Sequence, residues 1–241
     1  MMQGEDGEQA LHPGVVICRE LPYGEGWALQ QQYATARLHG EIPDTFLVVE
    51  HLPVYTVGRN GEESHLPHGR IFLENLGSDV VDVDRGGSVT FHGPGQVVVY
   101  PILKLADVFP MASDPSRGDV IAYVRTLEDI GIACCASFGI TAKRREGYSG
   151  VWIGQNKIMA IGVKLAHGIT QHGLAFNVTT DLSWFSHIIP CGIHDGWATS
   201  LAAEGVSATW EDTASHLILQ CHKRLGSRTS LESVHHETGV A

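Results

Sequence analysis

Residues 150–178 read GVWIGQNKIMAIGVKLAHGITQHGLAFNV. Three apolar, β-branched runs stand in this stretch, at 150–153, 157–163 and 174–178, each with the length and composition of a strand. Three strands with no helical pattern between them do not fit a doubly wound parallel sheet, where strands and helices alternate. Working outward, residues 15–18, 45–49, 80–84 and 97–102 add further strand-like runs. Helical patterns are fewer. Residues 26–38 carry Trp27, Leu29, Tyr33 and Leu38 as apolar points. Residues 116–139 carry Val120, Ile121, Val124 and Leu127 at the spacing of an amphipathic surface helix. The last helix is the clearest. Thr209 stands three before Asp212 in a capping arrangement, Ala214, Leu217, Ile218, Cys221 and Leu225 share a face, and Gly226 stops it. Residues 58–75 mix Gly, Pro, His and charge and read as a long loop. The expected fold is α/β of the α+β kind, a single domain over residues 14–226. Its mixed β-sheet is flanked by helices, and residues 1–13 and 227–241 are expected to be flexible tails.

Charge and composition narrow the function classes. Sixteen Lys and Arg against 27 Asp and Glu leave a net charge of −11, which repels a phosphate backbone at long range, so nucleic acid is not the expected partner. No apolar run approaches the roughly 18 residues that span a bilayer, so no membrane role is expected. Five cysteines, an odd number with no C-x-x-C pair, make a poor disulfide framework and fit a reducing compartment. The acidic, polar residues 1–8 lack the basic start and apolar stretch of a signal peptide. The expected location is the cytoplasm.

Three segments carry chemistry. The first, Arg85-Gly86-Gly87-Ser88-Val89-Thr90-Phe91-His92-Gly93-Pro94-Gly95-Gln96, is too rich in glycine for a plain strand connection. It reads either as a glycine-rich hairpin or as backbone that approaches a ligand closely, and it lacks the closing Gly-Lys-Ser/Thr of a phosphate loop. Arg85 and His92, if buried there, need partners. The second is Lys157-Ile158-Met159-Ala160-Ile161-Gly162-Val163-Lys164. Strict alternation would put Lys157, Met159, Ile161 and Val163 on one face, carrying Lys157 partly inward and leaving Lys164 exposed. The third is Pro190-Cys191-Gly192-Ile193, a cysteine between turn residues whose following N–H could support an oxyanion. His187, Cys191 and His194 also offer a metal reading, but no fourth ligand is marked by spacing. Cys134-Cys135, late in a helix, reads as core.

Taken in order, these segments resemble the lipoyl(octanoyl) transferase family. The resemblance runs from about Phe46 to Leu201 and takes in residues 50–59, 85–96 leading into 100–102, 150–153, 157–163, 172–177, 190–193 and 199–201. It implies a fold shared with lipoate–protein and biotin–protein ligases, and transfer of octanoyl from acyl carrier protein to a lysine of a lipoyl domain through an acyl-enzyme. Those lipoyl domains would be the ones in 2-oxoacid dehydrogenase complexes and in glycine cleavage H protein. By the same resemblance, Cys191 is the acyl-accepting nucleophile and Lys157 lowers its pKa. Residues Arg85, Gly86, Gly87, Ser88, Val89, Thr90, Phe91 and His92, with Ala160, Ile161, Gly162, Gly173, Leu174 and Ala175, would line the acyl pocket. Met159 is larger than the residue the family usually has there and is expected to narrow or reshape that pocket. No cofactor and no metal are implied.

The chemistry is physically sound. A free cysteine with pKa near ~8.5 is mostly thiol at neutral pH. A partly desolvated ammonium within about 4–6 Å favours the thiolate, and moving the pKa to about 7 takes only ~2 kcal/mol. Lys157 is also the expected relay for the proton that the incoming amine must lose. Because acyl carrier proteins are acidic, the encounter needs a local basic patch, for which Lys143-Arg144-Arg145 is the expected candidate. An ATP-dependent ligase of the same fold is the alternative activity, and a metal- or ligand-binding module a third.

Overall fold

The computed structural model describes residues 13–189 and 197–226. In chain order the strands and helices begin with β1 (Gly14–Leu21), α1 (Tyr23–Leu38), β2 (Thr45–His51), β3 (Val54–Val57), α2 (Arg70–Asn75) and β4 (Asp79–Asp82). There follow β5 (Val89–His92), β6 (Gln96–Ile102), α3 (Leu105–Val108), and the short pair β7 (Pro110–Met111) and β8 (Asp114–Gly118). The rest is α4 (Val120–Ser137), β9 (Lys143–Arg145), β10 (Tyr148–Ile153), β11 (Asn156–Ala166), β12 (Ile169–Asn177) and α5 (Trp210–Leu225).

The three successive strands of residues 150–178 do form, as an antiparallel run β10-β11-β12. They belong to a seven-stranded sheet of order β1-β2-β6-β12-β11-β10-β9, beside a three-stranded sheet β4-β3-β5. Only β1 and β2 pair parallel in the large sheet, so it is mixed, as expected from strands that do not alternate with helices.

Alternation along β2 and β6 divides the large sheet into two faces. Phe46, Val48, Val97 and Val99 join Leu127, Ile130 and Cys134 of α4 and Leu217 and Cys221 of α5 in one core. Leu47, Val49, Val98 and Tyr100 turn the other way, with Ala175 and with Ala34 of α1. The capping box of Thr209 and Asp212 opens α5 as expected, and Cys134 and Cys135 are core residues.

Four local readings need correction. Helix α4 begins at Val120, and its buried stripe is Tyr123, Leu127, Ile130 and Cys134, while Ile121 is 76% exposed. Helix α1 fully buries Tyr23, Gly26, Gln30 and Ala34; its apolar points Trp27, Leu29 and Tyr33 are half-buried against the core, and only Leu38 is exposed. Gly26 is there because a Cβ would stand 2.7 Å from His51 Cε1. Residues 58–75 contain α2 and a 3-10 turn at Glu63–His65 rather than only loop.

The fourth correction matters most for the site. The pairing of β10 with β11 shifts register, from Val151 opposite Met159 to Trp152 opposite Lys157. Ile158 is the extra residue of this bulge, and both Ile158 and Met159 are fully buried in the α4–α5 core. The bulge puts Lys157 on the other face from Met159. Lys164 is not free in solvent either: its Nζ stands 2.6 Å from Asp84 Oδ2, and the side chain is only 21% exposed.

Candidate functional site

On the α1 face of the sheet the side chains become small. Ala160 of β11 sits opposite Ala175 of β12, which sits opposite Val98 of β6. In the next row Gly162 pairs with Gly173. Small residues on adjacent strands about 4.8 Å apart leave a shallow trough in the sheet. Neither glycine is replaceable: a Cβ on Gly173 would lie 2.1 Å from Val99 O, and one on Gly162 would lie 2.8 Å from Arg85 Cδ. The Arg85 stem therefore lies across Gly162.

Above the trough is a cavity of about 100 Å³. The structure brings together there Arg85, Gly87, Ser88, Val89, Thr90 and His92 from the glycine-rich segment, with Lys157, Ala160, Ile161, Gly162, Gly173, Leu174 and Ala175 from β11 and β12. Two expected residues, Gly86 and Phe91, are not among those that line it. Gly86 is spent on the backbone, its N–H donating to Val163 O at 3.0 Å. Phe91 is 1% exposed and stacks on Trp184 with ring centroids 5.0 Å apart, away from the cavity. Met159, expected to narrow or reshape the pocket, packs against Gly131 of α4 instead, because regular alternation with Ala160 and Gly162 puts it on the far face. Cys191, with Pro190, Gly192 and His194, lies outside the described residues. The described chain is held on both sides of that segment: Ile189 N–H donates to His65 O at 3.0 Å, and Trp197 O accepts from Lys157 N–H at 2.8 Å.

Buried polar groups surround the deep part of the cavity, and each has a partner. Arg85 Nη2 donates to Thr56 O and Oγ1, both at 2.8 Å. His92 Nδ1 donates to Gln96 Oε1 at 2.8 Å, and Gln96 Nε2 donates in turn to Asn177 Oδ1 at 2.9 Å. His51 Nδ1 donates to Leu21 O, so its Nε2 accepts the Tyr100 hydroxyl at 2.8 Å. His172, whose φ is +55°, donates Nε2–H to Asp84 Oδ1 at 3.0 Å. Burial drives His51 and His172 down to about 4 and His92 to about 3. All three imidazoles are neutral at physiological pH. Burial also raises Tyr23 to about 12 and Tyr100 well above its ordinary value. Burial works against the Asp84 carboxylate, yet the hydrogen bonds from Lys164 and His172 hold its pKa below the usual range.

The sequence reading missed Tyr23, Tyr100, Trp152 and His172 as cavity residues. Three of them stand inside the quoted motifs, so position was the available signal; Tyr23 is an ordinary helix-start residue and carries none.

The Lys157 ammonium faces an aromatic ring, its Nζ 4.7 Å from the Trp152 centroid. A parallel bridge to Ala198 fixes its backbone, with Thr199 N–H donating to Lys157 O at 2.9 Å. The basic run expected to meet a carrier protein is largely committed within the fold. Arg144 bonds Glu128 at 2.7 Å and Asp129 at 2.6 Å, and Arg145 lies over the rings of Tyr148 and Trp152. His187 of the suggested metal set packs against Phe72, with centroids 5.5 Å apart.

The family model of the lipoyl protein ligase A/B catalytic domain matches residues 22–222. An octanoyltransferase of Thermobifida fusca is 44% identical over 210 residues, covering 82% of this chain and 83% of its own. An octanoyltransferase of Mycolicibacterium smegmatis is 44% identical over 225 residues, covering 90% of each chain. In fold, the chain is similar to the bipartite lipoate protein ligase of Thermoplasma acidophilum, with a TM-score of 0.65 at 14% identity, covering 89% of this chain and 84% of that one.

Proposed function

Because the chain belongs to the lipoyl protein ligase A/B catalytic-domain family and, within it, to the octanoyltransferases, it is an acyltransferase, and we propose that it carries an octanoyl group through a thioester on Cys191. The donor is octanoyl-acyl carrier protein and the acceptor a lysine of a lipoyl domain. The catalytic unit is residues 14–226, acting in the reducing cytoplasm. What carries this reading is the trough of Ala160, Ala175, Gly162 and Gly173, which is apolar, backbone-lined and continuous with Lys157.

The steps balance as follows. The Cys191 thiolate attacks the carbonyl of the donor thioester, and the carrier thiolate leaves with a proton from the Lys157 ammonium, which becomes the neutral amine. The octanoyl tail lies in the trough, where each buried CH₂ contributes roughly 0.8 kcal/mol and selects for an apolar chain. The acceptor amine then attacks the Cys191 thioester, an amide bond forms, the amine proton passes to Lys157, and Cys191 departs as thiolate. Lys157 supports the thiolate at the start and receives the proton at the end. Neutral His92 and His172 add no competing positive charge to the cavity.

The test is intact-mass analysis after mixing with octanoyl-acyl carrier protein. The expected result is one octanoyl group per chain, mapped to Cys191 and absent from Cys191→Ser. Labelling retained in that variant would contradict the thioester. Dependence of transfer on ATP would favour an adenylate-forming ligase instead.

A further inference from the structure

We infer that Trp152 is a positioning residue for Lys157, an indole platform that holds the ammonium at the cavity wall by a cation–π contact. The inference rests on the acid–base reading of Lys157 given above.

The geometry comes from the bulge. Register shift at Ile158 sets Trp152 directly opposite Lys157 across β10 and β11. The lysine Nζ then stands 4.7 Å from the ring centroid, well inside the ~6 Å at which the negative face of an indole attracts a cation. The stem is guided too. A Cβ on Gly150, whose φ is +116°, would lie 3.5 Å from Lys157 Cε and 3.6 Å from Cδ, so the methylenes run along the open side of that glycine. Gly150 N–H is in turn held by the buried Glu128 carboxylate at 3.2 Å. A long, rotamer-rich side chain is thereby confined to one course.

A second observation says why the ring is an indole. Trp152 is 1% exposed, and its Nε1–H has no hydrogen-bond partner among the described residues. A buried orphan donor is unfavourable, and phenylalanine would fill the strand position without it. What tryptophan adds is the strongest π face of the aromatic side chains. Here the ring serves two cations, because Arg145 Cζ also stands 5.0 Å from its centroid, and 4.9 Å from that of Tyr148.

The test compares Trp152→Phe and Trp152→Leu in the full chain. Three readouts are taken: thermal stability, the kcat and KM of octanoyl transfer, and the ¹H–¹³C spectrum of Lys157 Cε, assigned by Lys157→Arg. In the parent protein the Lys157 Hε resonance is expected upfield of ordinary lysines through the indole ring current. Trp152→Phe should remain folded, the cavity it leaves being partly offset by loss of the orphan donor, yet show a smaller ring-current shift and about threefold lower kcat. Trp152→Leu should lose the shift and about tenfold in kcat, with donor KM unchanged in both. A parent Lys157 resonance at the ordinary position overturns the inference, as does a kcat that only tracks the folded fraction. Lys157→Ala separates the two readings: transfer retained in that variant, with the parent shift present, removes the acid–base role while leaving the platform in place.

Discussion

The two faces of the large sheet solve different problems with neighbouring residues of the same strands. On the α4–α5 side, Met159, Phe176, Val97 and Val99 meet helices whose facing positions are also apolar. On the α1 side, Ala160, Ala175, Gly162 and Gly173 leave a trough, and the material around it is polar: Tyr23, His92, Tyr100, His172 and Arg85. The apolar face supplies stability through burial. The other face spends some of that stability on a pre-formed slot with hydrogen-bonded walls. One-residue alternation is enough to keep the two apart, and the bulge at Ile158 moves a single lysine from the register of the first face into the second.

Mild acidification should act chiefly through the buried histidines of the polar face and give the largest effect on stability. His51, His92 and His172 have folded-state pKa values of about 4, about 3 and about 4, below the ~6.5 of the unfolded chain. Below pH 6.5 the unfolded state therefore binds protons that the folded state refuses. The stabilisation is complete above pH 6.5 and is lost as pH falls towards 4, by about 1.4 kcal/mol per pH unit for each histidine. Urea denaturation between pH 7 and pH 4.5 should show a slope greater than one proton. A flat profile would mean that these imidazoles are not buried neutral groups. Truncation on the opposite face comes next. Met159→Ala should cost about 2–5 kcal/mol by the cavity it opens, measured by the same denaturation, while the preference among acyl chain lengths stays that of the parent. A changed preference would place Met159 in the slot after all.

How much of this was legible beforehand follows from where the signal lay. The strands β10, β11 and β12 were readable because each is a β-branched run broken by turn residues, and α5 because its cap, stripe and stop agree. Most of the lining of the slot was legible through the resemblance of its motifs, not through composition: Ala, Gly and Ser at those positions look the same in a hairpin as in a binding site. The bulge was invisible, because Lys157-Ile158-Met159 contains nothing that forbids plain alternation; only the partner strand fixes the register. The most deeply buried positions of helix α1 were not legible because they include Gly26 and Gln30, which pack by close approach and by accepting a hydrogen bond from His172 N–H at 2.8 Å rather than by hydrophobicity. Strands β3 and β5 were passed over because they are four residues each and sit among glycines and turns.

The most direct test of the slot is a substitution that fills it without disturbing the apolar face. Ala160→Leu adds three carbons over the trough and should change stability by no more than about 1 kcal/mol. Rates of acyl transfer from butyryl- and octanoyl-acyl carrier protein should then be measured side by side for parent and variant. The account predicts that the octanoyl rate falls at least about tenfold relative to the butyryl rate, several methylenes losing their place at roughly 0.8 kcal/mol each. An unchanged ratio of the two rates would show that the acyl chain does not lie across Ala160, and would contradict the assignment of this face.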